Sequence, residues 1–243
     1  GLWRIGVPPS GPADHLNARL ANSLVGNEES AAVLESTMKG FAFRVRCKSI
    51  IAFTGAECII RVNGIKVDRY AAHAIRTNAV VSVSDVTSGV RCYMAIRGGI
   101  DVPLYLGSRS TFVAGKLGGY QGRDLAVGDV LPIGKSPTAN FALPRELAPA
   151  LWPYFPEEGT AWDIGVTIGP HDAPEFFTKK DMETLFDTEY EVHHNSNRMG
   201  VRLIGPAPEF ARKDGGDGGT HRDGSTFSAG DNISAALEWC GNN

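Results

Sequence analysis

The sequence contains few cysteines, and their spacing argues against two common ways of stabilising a small fold. Four cysteines occur in 243 residues, at positions 47, 58, 92 and 240, and none of them belongs to a C-x-x-C pair. Structural zinc sites are usually built from such pairs, so a zinc-stabilised module is not expected. Four cysteines are also too few for a disulfide scaffold in a chain of this length, and we predict a reduced, cytoplasmic protein.

Excess charge of one sign and long apolar runs are lacking as well. The 24 basic and 27 acidic residues are spread along the chain and give a formal net charge of −3. No basic stripe predicts a nucleic-acid partner, and the longest apolar runs have the length of a strand, which predicts no membrane span. The sequence starts Gly-Leu-Trp-Arg, with neither an initiator methionine nor a signal segment. We therefore expect a fragment of a longer protein.

Glycine and proline, in contrast, are abundant and separate many short apolar runs. The 29 glycines and 14 prolines predict a mainly β fold with a few short helices. The dipeptide Asn63-Gly64 predicts a tight hairpin, because both of its residues tolerate the positive φ angles of a type I′ turn. Further strands are predicted at residues 41–45, 50–53, 80–83, 90–96 and 130–133.

Two helices are predicted near the N-terminus. Asp14 is a suitable N-cap, and Leu16, Leu20 and Leu24 recur every four residues, as on the buried face of a helix. A second, shorter helix is expected to begin at Asn27. Both precede the first predicted strand.

Composition divides the chain into four segments. Residues 1–136 are predicted to form a first β unit with N-terminal helices, and the Pro-rich residues 137–160 a linker. A second, incomplete β unit is predicted over residues 161–219. Residues 220–243 are Gly-rich at their start and poor in apolar side chains, and we interpret them as a divergent tail.

Two loops of the first unit are candidates for ligand binding. The stiff Pro8–Asp14 loop presents Ser10 and several backbone N–H groups, although a plain turn that ends in an N-cap also explains it. Arg97, Gly98 and Gly99 follow a predicted strand. Paired glycines allow a ligand to approach the backbone and an arginine can hold a carboxylate, but a β-bulge or barrel corner is an equally good explanation.

A third candidate lies in the second unit. His171 and Asp172 follow one predicted strand, and Asn195, Asn197 and Arg198 follow another. So many adjacent hydrogen-bonding side chains are costly to order, which favours a functional role. The alternative for Asp172 is that it caps the next helix, with Glu175 completing a capping box.

The pair His193-His194 invites a metal-binding interpretation, which we reject. Adjacent residues of a strand point to opposite faces, so the two imidazoles are not expected to bind one ion. The sequence therefore predicts no metal site.

The motifs together resemble a known family. The sequence is similar to the allophanate hydrolase subunit 2 family at Gly6–Asp14, Arg19–Asn22, Val25–Asn27, Ala95–Ile100, Gly107–Thr111 and Gly128-Asp129. The motifs Gly169–Asp172 and His193–Gly200 most resemble the urea carboxylase branch of that family. The resemblance covers residues 1–219, and residues 220–243 depart from the family pattern.

The resemblance implies a fold and a set of partners. It implies two cyclophilin-like β-barrel units that form half of a biotin-dependent carboxyltransferase, with a subunit 1-like domain as the other half. Biotin would arrive as carboxybiotin on a separate carrier domain, and ATP would be used only by a partner biotin carboxylase. The substrate would be urea and the product allophanate.

The resemblance also suggests roles for the candidate residues. Backbone N–H groups near Ser10, Gly98 and Gly99 would stabilise the anion that forms on biotin, with Arg97 nearby. Asp172, beside His171, would orient or deprotonate urea. The side chains of Asn195, Asn197 and Arg198 would hold the urea carbonyl or the transferred carboxylate.

Two other functions suit the same resemblance. Relatives form part of an ATP-dependent 5-oxoprolinase, and another relative is a non-catalytic regulatory partner of a kinase-inhibitor protein. Linkage to a biotin carboxylase would favour the carboxyltransferase, and a free-standing subunit would favour either alternative.

Overall fold

The chain folds into two compact units, Gly1–Thr160 and Ala161–Asn243. The computed structural model describes residues 7, 10–137, 142, 145–154, 159–161, 163, 165–168, 173–194, 196, 201–209, 211 and 237–239. Within this part of the chain, no helix is long and apolar enough to cross a membrane.

Two four-stranded antiparallel sheets form most of the first unit. Its strands are β1 Leu34–Thr37, β2 Phe41–Arg44, β3 Ser49–Glu57, β4 Ile60–Val62, β5 Ile65–Val67, β6 Ala72–Ile75, β7 Val80–Val83 and β8 Ser88–Ile96. One sheet has the order β1-β8-β3-β6 and the other the order β2-β7-β4-β5. The predicted mainly β fold is thereby confirmed.

The two sheets share one apolar core. Its buried members come from strands of both sheets and include Ile51, Phe53, Ile60, Val81, Val83, Met94 and Ile96. Each side chain of this size contributes roughly 1.5–3 kcal/mol when it is fully buried. The core therefore holds the two sheets together.

The predicted hairpin is present between β4 and β5. Asn63 and Gly64 have φ angles of 51° and 84°, as the type I′ turn requires. The Asn63 side chain also accepts a hydrogen bond from Val80 N at 2.9 Å, which ties the turn to the neighbouring strand β7.

Helix α1, His15–Leu24, packs on strands β3 and β8. Asp14 caps it as predicted, since its side chain accepts from Asn17 N at 2.9 Å. The predicted buried face is wrong at Leu16, which is 54% exposed. Small and amide residues fill that face instead and allow the helix to lie close to the sheet; the buried residues are Asn17, Ala18, Ala21, Asn22 and Leu24.

The second predicted N-terminal helix is wrong. Residues 28–31 form a turn, in which Ala31 N donates to Glu28 O at 3.0 Å. The Asn27 side chain is committed to tertiary contacts, because its Nδ2 donates to Ile96 O at 2.8 Å. The strand predicted over residues 130–133 is also wrong, since its one pairing is an isolated bridge between Ile133 and Ile100.

The remaining elements are short. In the first unit they are β9 Thr111–Phe112, β10 Leu117–Gly118 and a 3₁₀ turn at Pro149–Leu151. In the second unit they are β11 Val166–Ile168, α2 Lys179–Asp187, β12 Glu191–Val192, β13 Leu203–Ile204 and β14 Leu237–Trp239. β9 pairs with β10, β11 with β14, and β12 with β13. The predicted linker and tail boundaries stay predictions.

Candidate functional site

The paired glycines form a tight corner after β8. Gly98 and Gly99 have φ angles of 96° and 71°. Gly98 N donates to the Asn27 side-chain oxygen at 2.8 Å, and Gly99 N donates to Ile96 O at 2.8 Å. A Cβ on Gly98 would lie 2.4 Å from Gly134 O. Here the glycines allow two backbone segments to approach each other, which agrees with the corner alternative; their proposed contact with biotin stays a prediction.

Arg97 links this corner to the C-terminal end of helix α1 by a hydrogen bond. Its guanidinium donates to Val25 O at 2.8 Å and to Pro137 O at 2.9 Å. Val25 is the C-cap of the helix, where a cation satisfies an unpaired carbonyl and interacts favourably with the helix dipole. The side chain is therefore held in one place.

Arg97 also lines an open groove of about 680 Å³. Two exposed cations, Lys48 and Arg76, line the same groove, together with Cys47, Ser49, Ile50, Ala74, Ile75, Ile133, Gly134 and Ser136. Neither exposed cation has a salt-bridge partner within the described residues. Three cationic side chains around one groove make it electrostatically complementary to a carboxylate.

A hydrogen-bond network supports the loop that carries Ser10. Ala13 N donates to a Glu35 carboxylate oxygen at 2.9 Å, and Asp14 N donates to the Tyr93 hydroxyl at 2.8 Å. The Tyr93 hydroxyl in turn donates to Glu35 at 2.9 Å. Burial, and then the adjacent Glu35 charge, raise the pKa of Tyr93 well above its ordinary value, so the phenol stays protonated. Ser10 itself is half-buried.

A second network holds the N-terminal end of helix α1 on β3. The Tyr70 hydroxyl donates to the Asn17 side-chain oxygen at 2.8 Å, and Thr54 Oγ1 donates to Asn17 O at 2.7 Å. Gly55 N donates to the Tyr70 hydroxyl at 3.2 Å. The sequence did not predict these contacts, because the polar side chains carry no periodic signal and their partners lie far away in sequence.

The candidate loops of the first unit fall into two places. A Cβ on Gly11 would lie 3.9 Å from Ser110 Oγ and 3.8 Å from the His15 ring, so the Ser10 loop lies at the start of helix α1. The Gly98 corner lies at the end of that helix, which has 10 residues and is about 15 Å long. A single small anion does not reach both the Ser10 loop and the Gly98 corner. Anion binding by the loop and anion binding by the corner are therefore separate predictions.

The third cluster lies outside the described residues. This holds for His171, Asp172, Asn195, Asn197 and Arg198, whose roles stay predictions. Just beyond the paired residues of β12 and β13, His193 N donates a further backbone hydrogen bond to Arg202 O at 2.8 Å. In the sequence, the asparagines and the arginine come after β12 and before β13.

The N-terminus of helix α2 tests whether Asp172 caps this helix, which is the structural alternative to its proposed catalytic role. The helix is capped by Thr178, whose side chain and backbone N both bond to Asp181 in a capping box. Asp172 with Glu175 is therefore not the capping box of α2. The N-cap of α2 is thus Thr178, and the functional role of Asp172 stays a prediction.

The strand geometry expected for His193-His194 is wrong. β12 ends at Val192, so strand alternation does not apply to the two histidines, and their rings stack with centroids 4.1 Å apart. Within the described part of the chain, no three His, Cys, Asp or Glu side chains cluster in a way that could hold a metal ion.

The family described as carboxyltransferase domain, subdomain A and B, matches residues 5–237, and the chain belongs to this family. The match extends over both compact units of the chain.

The chain is more similar in sequence to a urea amidolyase than to a 5-oxoprolinase subunit. It is 45% identical over 223 residues to the urea amidolyase of Saccharomyces cerevisiae, a match that covers 91% of this chain and 12% of that protein. It is 31% identical to a subunit of the 5-oxoprolinase of Escherichia coli, covering 84% of this chain and 63% of that protein. The chain thus spans about an eighth of the yeast protein's length.

A solved structure agrees with this placement. The urea carboxylase of Kluyveromyces lactis is 43% identical and superposes with a TM-score of 0.78, covering 89% of this chain and 20% of that one. The resemblance recognised from the sequence motifs is therefore confirmed.

Proposed function

We propose that this domain forms part of the carboxyltransferase of a biotin-dependent urea carboxylase, in which CO₂ passes from carboxybiotin to urea to give allophanate. The observation that carries the proposal is the 45% identity to a urea amidolyase across 91% of the chain. Identity to a 5-oxoprolinase subunit is lower, at 31%. The urea reaction is therefore favoured over the lactam reaction.

The chemistry requires a site that activates a poor nucleophile. The lone pair of a urea nitrogen is delocalised into its carbonyl, so the site must orient the nitrogen and remove a proton as the new C–N bond forms. Asp172 is the proposed hydrogen-bond acceptor and base, with His171 beside it. Asn195, Asn197 and Arg198 are proposed to hold the urea carbonyl or the transferred carboxylate, which reduces the entropy cost of reaction.

Carboxybiotin would supply the CO₂, and the residues of the first unit suit a carboxylated group. The groove lined by Lys48, Arg76 and Arg97 is cationic and open. We propose that its side chains draw the carboxylate toward the domain by electrostatic attraction. Ser10 and, as a separate alternative, the backbone near Gly98 and Gly99 remain proposed contacts for the anion that forms when CO₂ leaves.

Partner domains are part of this proposal. The relatives named as urea amidolyase and urea carboxylase are much longer chains, of which this domain covers 12% and 20%. We propose that a subunit 1-like domain, a biotin carboxylase that uses ATP and a biotinyl carrier complete the enzyme.

The test is the Asp172→Ala variant in a urea amidolyase that carries this chain as its carboxyltransferase region. We expect allophanate formation to be lost, because the proposed base is removed, while ATP-dependent carboxylation of biotin continues. Both half-reactions are followed with labelled bicarbonate. Asp163→Ala is the matched control, since this described aspartate of the same unit has no proposed role. Unchanged allophanate formation in the Asp172 variant would remove that residue from the site.

A further inference from the structure

Two cysteines that are far apart in sequence lie side by side in the first unit. The Sγ atoms of Cys58 and Cys92 are 3.8 Å apart. Cys92 is 1% exposed within the core, whereas Cys58 is half-buried in the connection between β3 and β4. The S–S bond of a disulfide is about 2.05 Å long, so the two sulfurs need to approach by roughly 1.8 Å to bond.

The surroundings make the two thiols chemically different. The hydrogen bond with Cys92, assisted by the positive charge of Arg69, lowers the pKa of Cys58 in spite of its partial burial. The same hydrogen bond and burial raise the pKa of Cys92. The more exposed sulfur is therefore the one that ionises first, and thiolates rather than thiols react with oxidants.

We propose that Cys58 and Cys92 form a reversible dithiol–disulfide modification site that responds to hydrogen peroxide. The Cys58 thiolate attacks one peroxide oxygen, the O–O bond breaks, hydroxide leaves, and Cys58 becomes a sulfenic acid. The Cys92 sulfur then attacks the Cys58 sulfur. Its proton and the departing hydroxide form water, and the S–S bond is complete. A small thiol such as dithiothreitol reverses the step by thiol–disulfide exchange.

The cross-link would join parts of both sheets. Cys92 belongs to β8, and Cys58 leads into β4 of the other sheet. The bond would close a loop between residues 34 positions apart, which restricts the unfolded chain. Oxidation is therefore expected to raise Tm, by roughly 5 °C or more for a chain of this size.

The test uses the full 243-residue chain with Cys47→Ser and Cys240→Ser, so that only the proposed pair remains. After limited hydrogen peroxide, we expect both thiols to be lost together and a peptide joining Cys58 to Cys92 to appear in the mass spectrum. Dithiothreitol should restore both thiols. The wild-type chain should yield the same linked peptide, and Tm should rise on oxidation and return on reduction.

The Cys58→Ser variant is the matched control, because it removes the reactive sulfur at a half-buried position and keeps the core residue. In this variant, Cys92 should remain reduced under the same treatment. The proposal is overturned if peroxide oxidises Cys58 to sulfinic acid without consuming Cys92. It is also overturned if the linked peptide forms only after the chain has been unfolded in urea.

Discussion

At the scale of single residues, the corner after β8 depends on the absence of a side chain at Gly98. The backbone there adopts a φ of 96°, and the space a Cβ would need is filled by Gly134 O. Asn27 completes the corner by accepting from Gly98 N and donating to Ile96 O. An amide can do both at once, because it has an acceptor and a donor on one planar group.

Replacement of Gly98 by alanine should therefore destabilise the chain by about 3 kcal/mol or more, since strain at positive φ is added to a backbone clash. The matched control is Gly64→Ala, at φ 84° with nothing within 4 Å of the added Cβ. Only the strain applies there, at about 1–2 kcal/mol. Urea denaturation of both variants measures the difference; equal losses would contradict the packing of Gly98 on Gly134.

A second residue-scale prediction concerns pH. The hydrogen bonds from Arg123, and then from Ala126 N, lower the pKa of Asp129 from 3.8 to about 2. Because the folded-state pKa lies below the unfolded one, the stabilisation is fully present above the unfolded pKa of 3.8 and is lost as pH falls through about 2.

Carbon NMR titration of the Asp129 carboxyl group should therefore show a midpoint well below 3.8 in the wild-type chain. In the Arg123→Ala variant the midpoint should move up toward that value. Asp124→Asn, which leaves the Asp129 contacts intact, is the control. A wild-type midpoint at or above the ordinary value would contradict the ion pair.

At the scale of elements, sequence periodicity predicted those elements that large apolar side chains define. Strands β7 and β8 and the hairpin of β4 and β5 were found, since Val, Ile and an Asn-Gly turn give clear signals. Strands β1 and β6 were missed. β6 contains two alanines and a histidine, and β1 contains Glu35, which supports the Ser10 loop. Small or polar strand residues give no alternating pattern, although tertiary pairing makes them strands.

The absence of a periodic signal from polar residues also explains why the buried face of helix α1 and the contacts of the candidate site were not predicted. The asparagines on its buried face are stabilised by hydrogen bonds to distant residues, such as Tyr70, and no local pattern reveals them. The sequence did place Arg97, Gly98 and Gly99 at the end of a strand, where the structure has them. It did not show that their polar groups bond to Val25, Asn27 and Ile96.

The cap of helix α2 gives a prediction at this scale. Thr178→Ala removes a side-chain acceptor for Asp181 N and should cost about 1–2 kcal/mol of local stability. Hydrogen exchange at the Asp181 and Met182 amides should accelerate roughly 5- to 30-fold. Thr188→Ala, at the opposite end of the same helix, is the matched control and should leave these rates nearly unchanged. Equal acceleration in both variants would contradict the capping box.

At the scale of the whole molecule, the chain corresponds to one region of much longer relatives. It belongs to a carboxyltransferase family across both of its compact units, yet it spans 12% of a related urea amidolyase. The first unit contains a cationic groove, and the second carries the residues proposed to act on urea. The reaction is proposed to need both units, together with the domains that load biotin.

The most direct measurement replaces the matching region of the Saccharomyces cerevisiae urea amidolyase with this chain and follows fixation of labelled bicarbonate. We predict ATP-dependent allophanate formation when urea is added and none when 5-oxoproline is added. A folded chimera that carboxylates its biotin but transfers nothing to urea would contradict the proposed function.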